Sequence, residues 1–360
     1  MPPTNALDLP LLRQKPSYET LVNSLEALTI APSTWSESEI SALAEEDAAG
    51  IPRYLTSILS NAFDWLQDQT SEKSHGLLAE EQKEVLWNLA SQRMTERCGR
   101  SAQGEITRTW RIAANGDHPD MDLVIREPPL TGDTLGFKTW GTAWAIAQKL
   151  TYLKTELFQH LLREPTYVNF TNENGETFTQ IKRRDSLERP QILELGSGTG
   201  LLGLAAAAIW SADVIVTDLE IIQENLGYNC FQNMNIIESR GGYCAPGVLD
   251  WTDLENSEVT VADNDDKFEL IMVSDPLYDS HHPALVANAI RHFIKVDEGS
   301  RVLAAVPKRD ANTSRMVQEF WELMAGNGFL LIREESEICR DDWGNDGNEV
   351  TCVWGVWRLS

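Results

Sequence analysis

Three stretches carry residue types that could do chemistry. The first is I-L-E-L-G-S-G-T-G-L-L-G at residues 192–203. An apolar run there meets Gly196, Gly198 and Gly200, and a helical run follows. A strand, a glycine turn and a helix N-terminus let backbone approach a ligand closely. The second is Asp218, which closes a β-rich run twenty residues past Gly198. An acid at the end of the second strand of a doubly wound sheet bonds ribose hydroxyls; an ordinary surface Asp is the alternative. The third is S-D-P-L-Y at residues 274–278, after the apolar run F-E-L-I-M-V. At a strand end, an acid and an aromatic, here Asp275 and Tyr278, can position an amine and wall off water.

Two cofactors use such a glycine turn. Gly198, Gly200 and Gly203 satisfy the dinucleotide spacing G-x-G-x-x-G. Glu194, Gly196, Gly198 and Gly200 satisfy the longer E-x-G-x-G-x-G favoured by S-adenosyl-L-methionine (AdoMet) enzymes. The rest of the chain discriminates between them. Strands and helices alternate through residues 213–324, and Trp251 follows a third strand, where it could lie against an adenine or simply form a rim. Residues 329–333 and 349–359 then read as two strands with no helix between them. That antiparallel ending fits the α/β, seven-stranded, Rossmann-like AdoMet methyltransferase sheet rather than a dehydrogenase.

The elements ahead of the glycine turn must position it. Trp140 and Trp144 stand four apart, on one face if a helix has begun by Trp140, which makes either a core face or a tryptophan beside the cofactor. Residues 105–113 and 121–127 alternate as a strand pair, and residues 165–185 read as a polar excursion, a hairpin around Asn174 and Gly175. The first hundred residues are expected to be a helical extension. The spacing predicts helices over 17–28, over a stripe from Ile51 to Leu66, and over a stripe from Val85 to Met94 closed by Gly99. The division is therefore a helical unit over 1–100 and a catalytic domain over 101–360.

Composition narrows the partners. The chain has 360 residues, 30 Lys and Arg against 55 Asp and Glu, and a net charge of −25. Such a surface repels phosphate backbones, and it either suits a basic protein or serves simple solubility. Five scattered cysteines form no C-x-x-C, and His281-His282 has no ligand-spaced partner, so neither a disulfide framework nor a metal site is expected. The N-terminus lacks an apolar signal core, and no stretch approaches a membrane span. A soluble protein of a reducing compartment, the cytoplasm, is the expectation.

Residues 130–360 resemble the seven-β-strand protein-lysine methyltransferases of methyltransferase family 16. The resemblance rests on Trp140, E-L-G-S-G-T-G, T-D-L at 217–219, L-D-W at 249–251 and S-D-P-L-Y. The stretches L-T-G-D-T-L-G-F-K-T-W and S-D-P-L-Y-D-S-H-H-P are similar to the fungal branch that acts on translation elongation factors. The resemblance implies that Trp140, Glu194, Gly196, Ser197, Gly198, Asp218, Trp251 and Ser274 serve the cofactor AdoMet. It implies that Asp275 and Tyr278 line the lysine entry and that the partner is a protein, not nucleic acid or membrane. An amino-methyltransferase acting on glutamine or adenine is the alternative, because D-P-L-Y partly matches D-P-P-Y.

Overall fold

The computed structural model describes residues 5–30, 32, 34, 49–69, 78–98, 100–113, 119–131, 135–162, 167–171, 174, 177–181, 191–340 and 349–360. The described residues divide into two compact units between Gly104 and Glu105.

The first unit carries α1 (Tyr18–Ala27), α2 (Gly50–Leu59) and α3 (Ala79–Glu96). Ser17 caps α1, its hydroxyl accepting from the Thr20 N–H at 3.2 Å. The apolar stripe expected to run as one helix to Leu66 is broken. The helix stops at Leu59, Asn61 Oδ1 accepts from the Phe63 N–H at 2.8 Å, and Phe63 sits at φ 52°. Asn competes with the helix for backbone donors. A short 3-10 turn, Asp64–Gln69, then returns Leu66 to the same core, beside Leu21, Leu25, Leu55 and Leu86. Gly99 lies outside the described residues.

The second unit opens with the antiparallel pair β1 (Ile106–Ile112) and β2 (Met121–Glu127), whose alternate residues are buried. Helices α4 (Gly141–Ala147) and α5 (Leu150–Glu156) follow, then the expected hairpin, β3 (Tyr167–Thr171) against β4 (Thr177–Ile181). Its Gly175 lies outside the described residues.

From there the chain winds the main sheet: β5 (Gln191–Leu195), α6 (Leu201–Trp210), β6 (Asp213–Asp218), α7 (Glu220–Ser239), β7 (Tyr243–Val248) and β8 (Leu270–Ser274). It finishes with α8 (His282–Phe293), β9 (Arg301–Lys308), α9 (Ala311–Gly326), β10 (Phe329–Arg340) and β11 (Glu349–Leu359). The seven strands lie in the order β10-β11-β9-β8-β5-β6-β7, and β11 runs antiparallel to both of its neighbours. This is the expected ending, with β10 seven residues longer than the sequence suggested because its pairing with β11 continues to Arg340, past a register shift at Leu331/Arg333. The chain order reverses between β5 and β8, so the crevice beyond their carboxyl ends is the natural place for a ligand.

Two devices hold that crevice rigid. Every residue of α6 is buried, which fits its wholly apolar composition. On α7, Asn225, Asn229 and Asn233 stand one turn apart and face β2. Asn233 Oδ1 accepts from the Val124 N–H at 2.9 Å, and its amide donates to the Val124 carbonyl at 2.8 Å. Asn229 repeats the pattern on Arg126, at 2.9 and 3.1 Å. The amides thus do for the free edge of β2 what a neighbouring strand would do.

Candidate active site

The glycine turn is shaped by positive φ at Gly196 (67°), Gly198 (56°) and Gly200 (88°), where a side chain would be strained. Space is also tight. A Cβ on Gly196 would stand 2.9 Å from Trp251 Cζ2, and one on Gly203 would stand 2.3 Å from Val216 and 2.5 Å from Glu194 Oε2. Gly203, the residue that completes the dinucleotide-like spacing, therefore serves close packing of α6 on β5 and β6.

Hydrogen bonds tie the turn to the end of β6. The Ser197 N–H donates to the Thr217 carbonyl at 2.8 Å, and Ser197 Oγ accepts from the Thr217 N–H at 3.0 Å. The Asp218 carboxylate accepts from the Gly198 N–H and the Leu219 N–H, each at 2.8 Å. Burial pushes the Asp218 carboxyl up, against the pull of those two bonds. Glu194 lies beneath the turn, 2% exposed. Burial pushes its carboxyl up to about 8, against hydrogen bonds from Ser197 and Gly203, so it is mostly protonated at neutral pH.

The segment ahead of α4 covers this turn. The Thr139 and Thr199 hydroxyls are 2.8 Å apart, and the Trp140 indole N–H donates to the Leu135 carbonyl at 3.2 Å. The two tryptophans separate. Trp140 is the N-cap of α4 and faces the crevice, whereas Trp144 packs on Trp110 with ring centroids 5.0 Å apart. The helix has not begun by Trp140, so the shared helical face does not form. Trp251 meets His282 edge-to-face at 5.8 Å.

Asp275 leaves β8 at φ 55°, its N–H donating to the Ala305 carbonyl at 2.8 Å. Its side chain is almost wholly buried. Both carboxylate oxygens accept from Arg309, at 2.9 and 2.5 Å. The Arg309 guanidinium in turn lies 4.6 Å from the centre of the Trp140 ring, and Lys138 Nζ lies 4.3 Å from it. Tyr278, 40% exposed, stands with its ring 5.8 Å from Trp140. His282 Nδ1 accepts from the Tyr278 and Asp279 N–H groups at 3.1 and 3.2 Å, which folds the D-P-L-Y-D loop over the helix start. Acting as acceptor requires the proton on Nε2, and burial pushes the His282 pKa down in the same sense.

These groups surround a cavity of about 650 Å³ that lies wholly in the second unit. All ten residues singled out from the sequence line it: Trp140, Glu194, Gly196, Ser197, Gly198, Asp218, Trp251, Ser274, Asp275 and Tyr278. Sequence reading missed Arg309, Lys138 and His282. His282 was legible only as half of a His-His pair, Lys138 only as one letter of the stretch L-T-G-D-T-L-G-F-K-T-W, and Arg309 carried no motif. Among the described residues, no three metal-ligating side chains are gathered.

The residues present fit AdoMet. The glycines leave backbone bare where the cofactor's methionine end would lie. Trp251 offers a ring for an adenine, and Asp218 an acceptor for a ribose. Ser274 Oγ and Glu194 Oε2 are buried without a partner among the described residues, although both residues line the cavity. Orphaned polar atoms at a cavity wall are what a polar ligand satisfies.

The profile of a family described as lysine methyltransferase matches residues 118–324. Protein-lysine N-methyltransferase rrg1 of Schizosaccharomyces pombe is 28% identical over 351 residues, 98% of this chain and 97% of that protein. Protein-lysine N-methyltransferase EFM2 of Saccharomyces cerevisiae is 30% identical over 278 residues, 75% of this chain and 59% of that protein. The match covers more than half of a chain whose sheet, glycine turn and strand-end acid are those of the fold, and the chain belongs to the lysine methyltransferase family, as an AdoMet-dependent protein-lysine N-methyltransferase.

Proposed function

We propose that the protein substrate is a translation elongation factor, methylated on a lysine in the cytoplasm, and that catalysis belongs to the unit from about residue 101 onward. One observation carries the reading of the site: the buried Asp275 carboxylate, Trp140 and the partly exposed Tyr278 line the same cavity as the glycine turn and Asp218, with the Trp140 and Tyr278 rings 5.8 Å apart. A slender side chain entering there passes an aromatic wall and a carboxylate before it reaches the cofactor. The net charge of −25 favours a basic protein over nucleic acid. The elongation factor is supported by the similarity of residues 130–140 and 274–283 to the fungal branch. All five cysteines are free thiols, which suits a reducing compartment.

Trp140, Glu194, Gly196, Ser197, Gly198, Asp218, Trp251 and Ser274 hold the cofactor. When bound, AdoMet supplies an electrophilic methyl carbon on a sulfonium. The chain's task is to deliver the amine neutral and aimed. A lysine at its ordinary pKa of ~10.4 is protonated at pH 7, and presenting it neutral costs about 4–5 kcal/mol. Asp275 binds and aims the nitrogen, Tyr278 walls the channel, and alignment supplies most of the rate gain.

The test is incubation of the enzyme with methyl-labelled AdoMet and lysate from cells lacking it, followed by mass spectrometry. Label should enter an elongation-factor band on lysine and survive nuclease. Label on another protein's lysine would refute the elongation factor alone. Label on glutamine or adenine would favour the D-P-P-Y-like alternative.

A further inference from the structure

Tyr278 stands on an irregular stretch between β8 and α8, and its ring is 40% exposed. Methyl transfer needs its channel walls fixed, because small misplacement of a nucleophile is costly. His282, the first residue of α8, supplies a fixed point. The helix behind it is anchored by the buried Pro283, Val286 and Ile290. The His282 N–H donates to the Asp279 carbonyl at 3.1 Å, and its Nδ1 accepts from the Tyr278 and Asp279 N–H groups at 3.1 and 3.2 Å. The Asp279 carboxylate does not compete for those donors. It accepts from the His281 N–H at 2.9 Å and pairs with the His281 ring at 2.6 Å.

The same imidazole stands between two walls of the cavity. It meets Trp251 edge-to-face at 5.8 Å and Tyr278 edge-to-face at 6.3 Å, with the planes at 87° in each case. Tyr278 in turn stands 5.8 Å from Trp140. These spacings are those of interacting aromatic pairs. Four rings therefore run in series, from Trp251 through His282 and Tyr278 to Trp140, and all four residues line the cavity.

We propose that His282 is a positioning residue for methyl transfer, whose Nδ1 fixes Tyr278 on the lysine side of the cavity at a set distance from Trp251 on the cofactor side. This rests on the reading of Trp251 as the adenine wall and of Tyr278 as the lysine wall. The hold is on the main chain of the loop, so it sets where the Tyr278 ring starts from without occupying the phenol itself. Because His282 belongs to a helix rooted in the core, the position it imposes does not depend on the loop's own conformational preferences.

The experiment sets wild type beside His282→Asn, His282→Leu and His282→Phe. The substrate is the protein that takes up methyl label in lysate from cells lacking the enzyme, purified from those cells. Single-turnover methyl transfer is followed with AdoMet saturating and enzyme in excess, over a range of enzyme concentrations. The plateau rate reports the aligned complex, and half-saturation reports its assembly. Calorimetry measures AdoMet affinity. Asn and Leu have nearly the same shape, and only Asn places an acceptor where Nδ1 stands. His282→Leu should lower the plateau by about tenfold or more, since misplacement alone can cost about 10²-fold. His282→Asn should recover most of that loss. His282→Phe keeps a ring between Trp251 and Tyr278 but offers no acceptor, and should fall with His282→Leu. Half-saturation and AdoMet affinity should stay within about fivefold of wild type in all three, too little to account for the loss.

Equal plateau rates in His282→Asn and His282→Leu would mean that the side chain only fills space, and would overturn the inference. So would an undiminished plateau in His282→Leu and His282→Phe, or a loss confined to AdoMet affinity and recovered at saturation. Should His282→Leu fail to bind AdoMet, His282→Asn against His282→Phe decides, and equal plateaus there refute the inference. A wild-type enzyme that labels no lysine in any protein would instead refute the reading of the site, before any variant is compared.

Discussion

Asp218 shows how much one residue does here. Its two oxygens already hold the N–H groups of Gly198 and Leu219, which fixes the glycine turn against the end of β6. A bound ribose would use the lone pairs that remain. Asp218→Ala should therefore weaken AdoMet binding by roughly 1.5–3 kcal/mol, the range for hydrogen bonds to a charged group. Calorimetry with AdoMet checks this, and unchanged affinity would remove Asp218 from the site. Asp218 was legible in the sequence because its spacing from the glycines is set by one strand, one helix and one turn. Arg309 was not. Residue 275 and residue 309 meet because β8 and β9 pair in parallel with Ser274 opposite Ala305, which brings both strand ends to the same edge of the crevice. A register between strands separated by a helix leaves no local signature. Trp140 was half legible: it lines the cavity, but its partnership with Trp144 assumed a helix that starts one residue later.

At the scale of elements, hydrophobic periodicity located the strands and helices of the main sheet, because buried parallel strands and apolar helices write their burial into the sequence. It overran where a polar side chain captured the backbone, as Asn61 does after α2. It was silent on the asparagines of α7, whose spacing looks like an ordinary polar face although Asn225, Asn229 and Asn233 are all buried. Asn229 bridges two elements. It accepts from the Arg126 N–H and donates to the carbonyls of Arg126 and Thr199, so it joins the edge of β2 to the glycine turn. Asn229→Ala should destabilise the second unit by roughly 2–4 kcal/mol, since buried backbone groups lose their partners. It should also weaken AdoMet binding, because Thr199 follows Gly198 directly. Denaturation and calorimetry on one preparation measure both. A stability loss under 1 kcal/mol would mean that β2 finds other partners.

Over the whole molecule, protonation couples the buried site to stability. Glu194 has its carboxyl pushed up to about 8 by burial, from an ordinary value near 4.5. Below about pH 4.5 it is protonated in both the folded and the unfolded chain, and its contribution is fully present. Between about 4.5 and 8 the unfolded chain ionises this group while the folded chain does not. Unfolding then releases a proton, so stability falls as pH rises; above about 8 the curve flattens. Asp218, also raised by burial, acts with the same sign. The net charge of −25 adds self-repulsion in the same direction as the exposed acids ionise. Salt separates the two sources, because a Debye length of about 8 Å at physiological ionic strength screens surface charges and leaves a buried carboxyl unaffected. In 0.5 M salt, the wild-type protein should lose roughly 2–5 kcal/mol of stability between pH 5 and pH 8 through Glu194. Glu194→Gln keeps the shape and cannot ionise, so most of that slope should disappear while some remains from Asp218. The measurement is chemical denaturation at several pH values in high salt, followed by tryptophan fluorescence. Identical slopes in the two proteins would show that Glu194 is ionised in the folded state, with its charge met by a partner beneath the glycine turn.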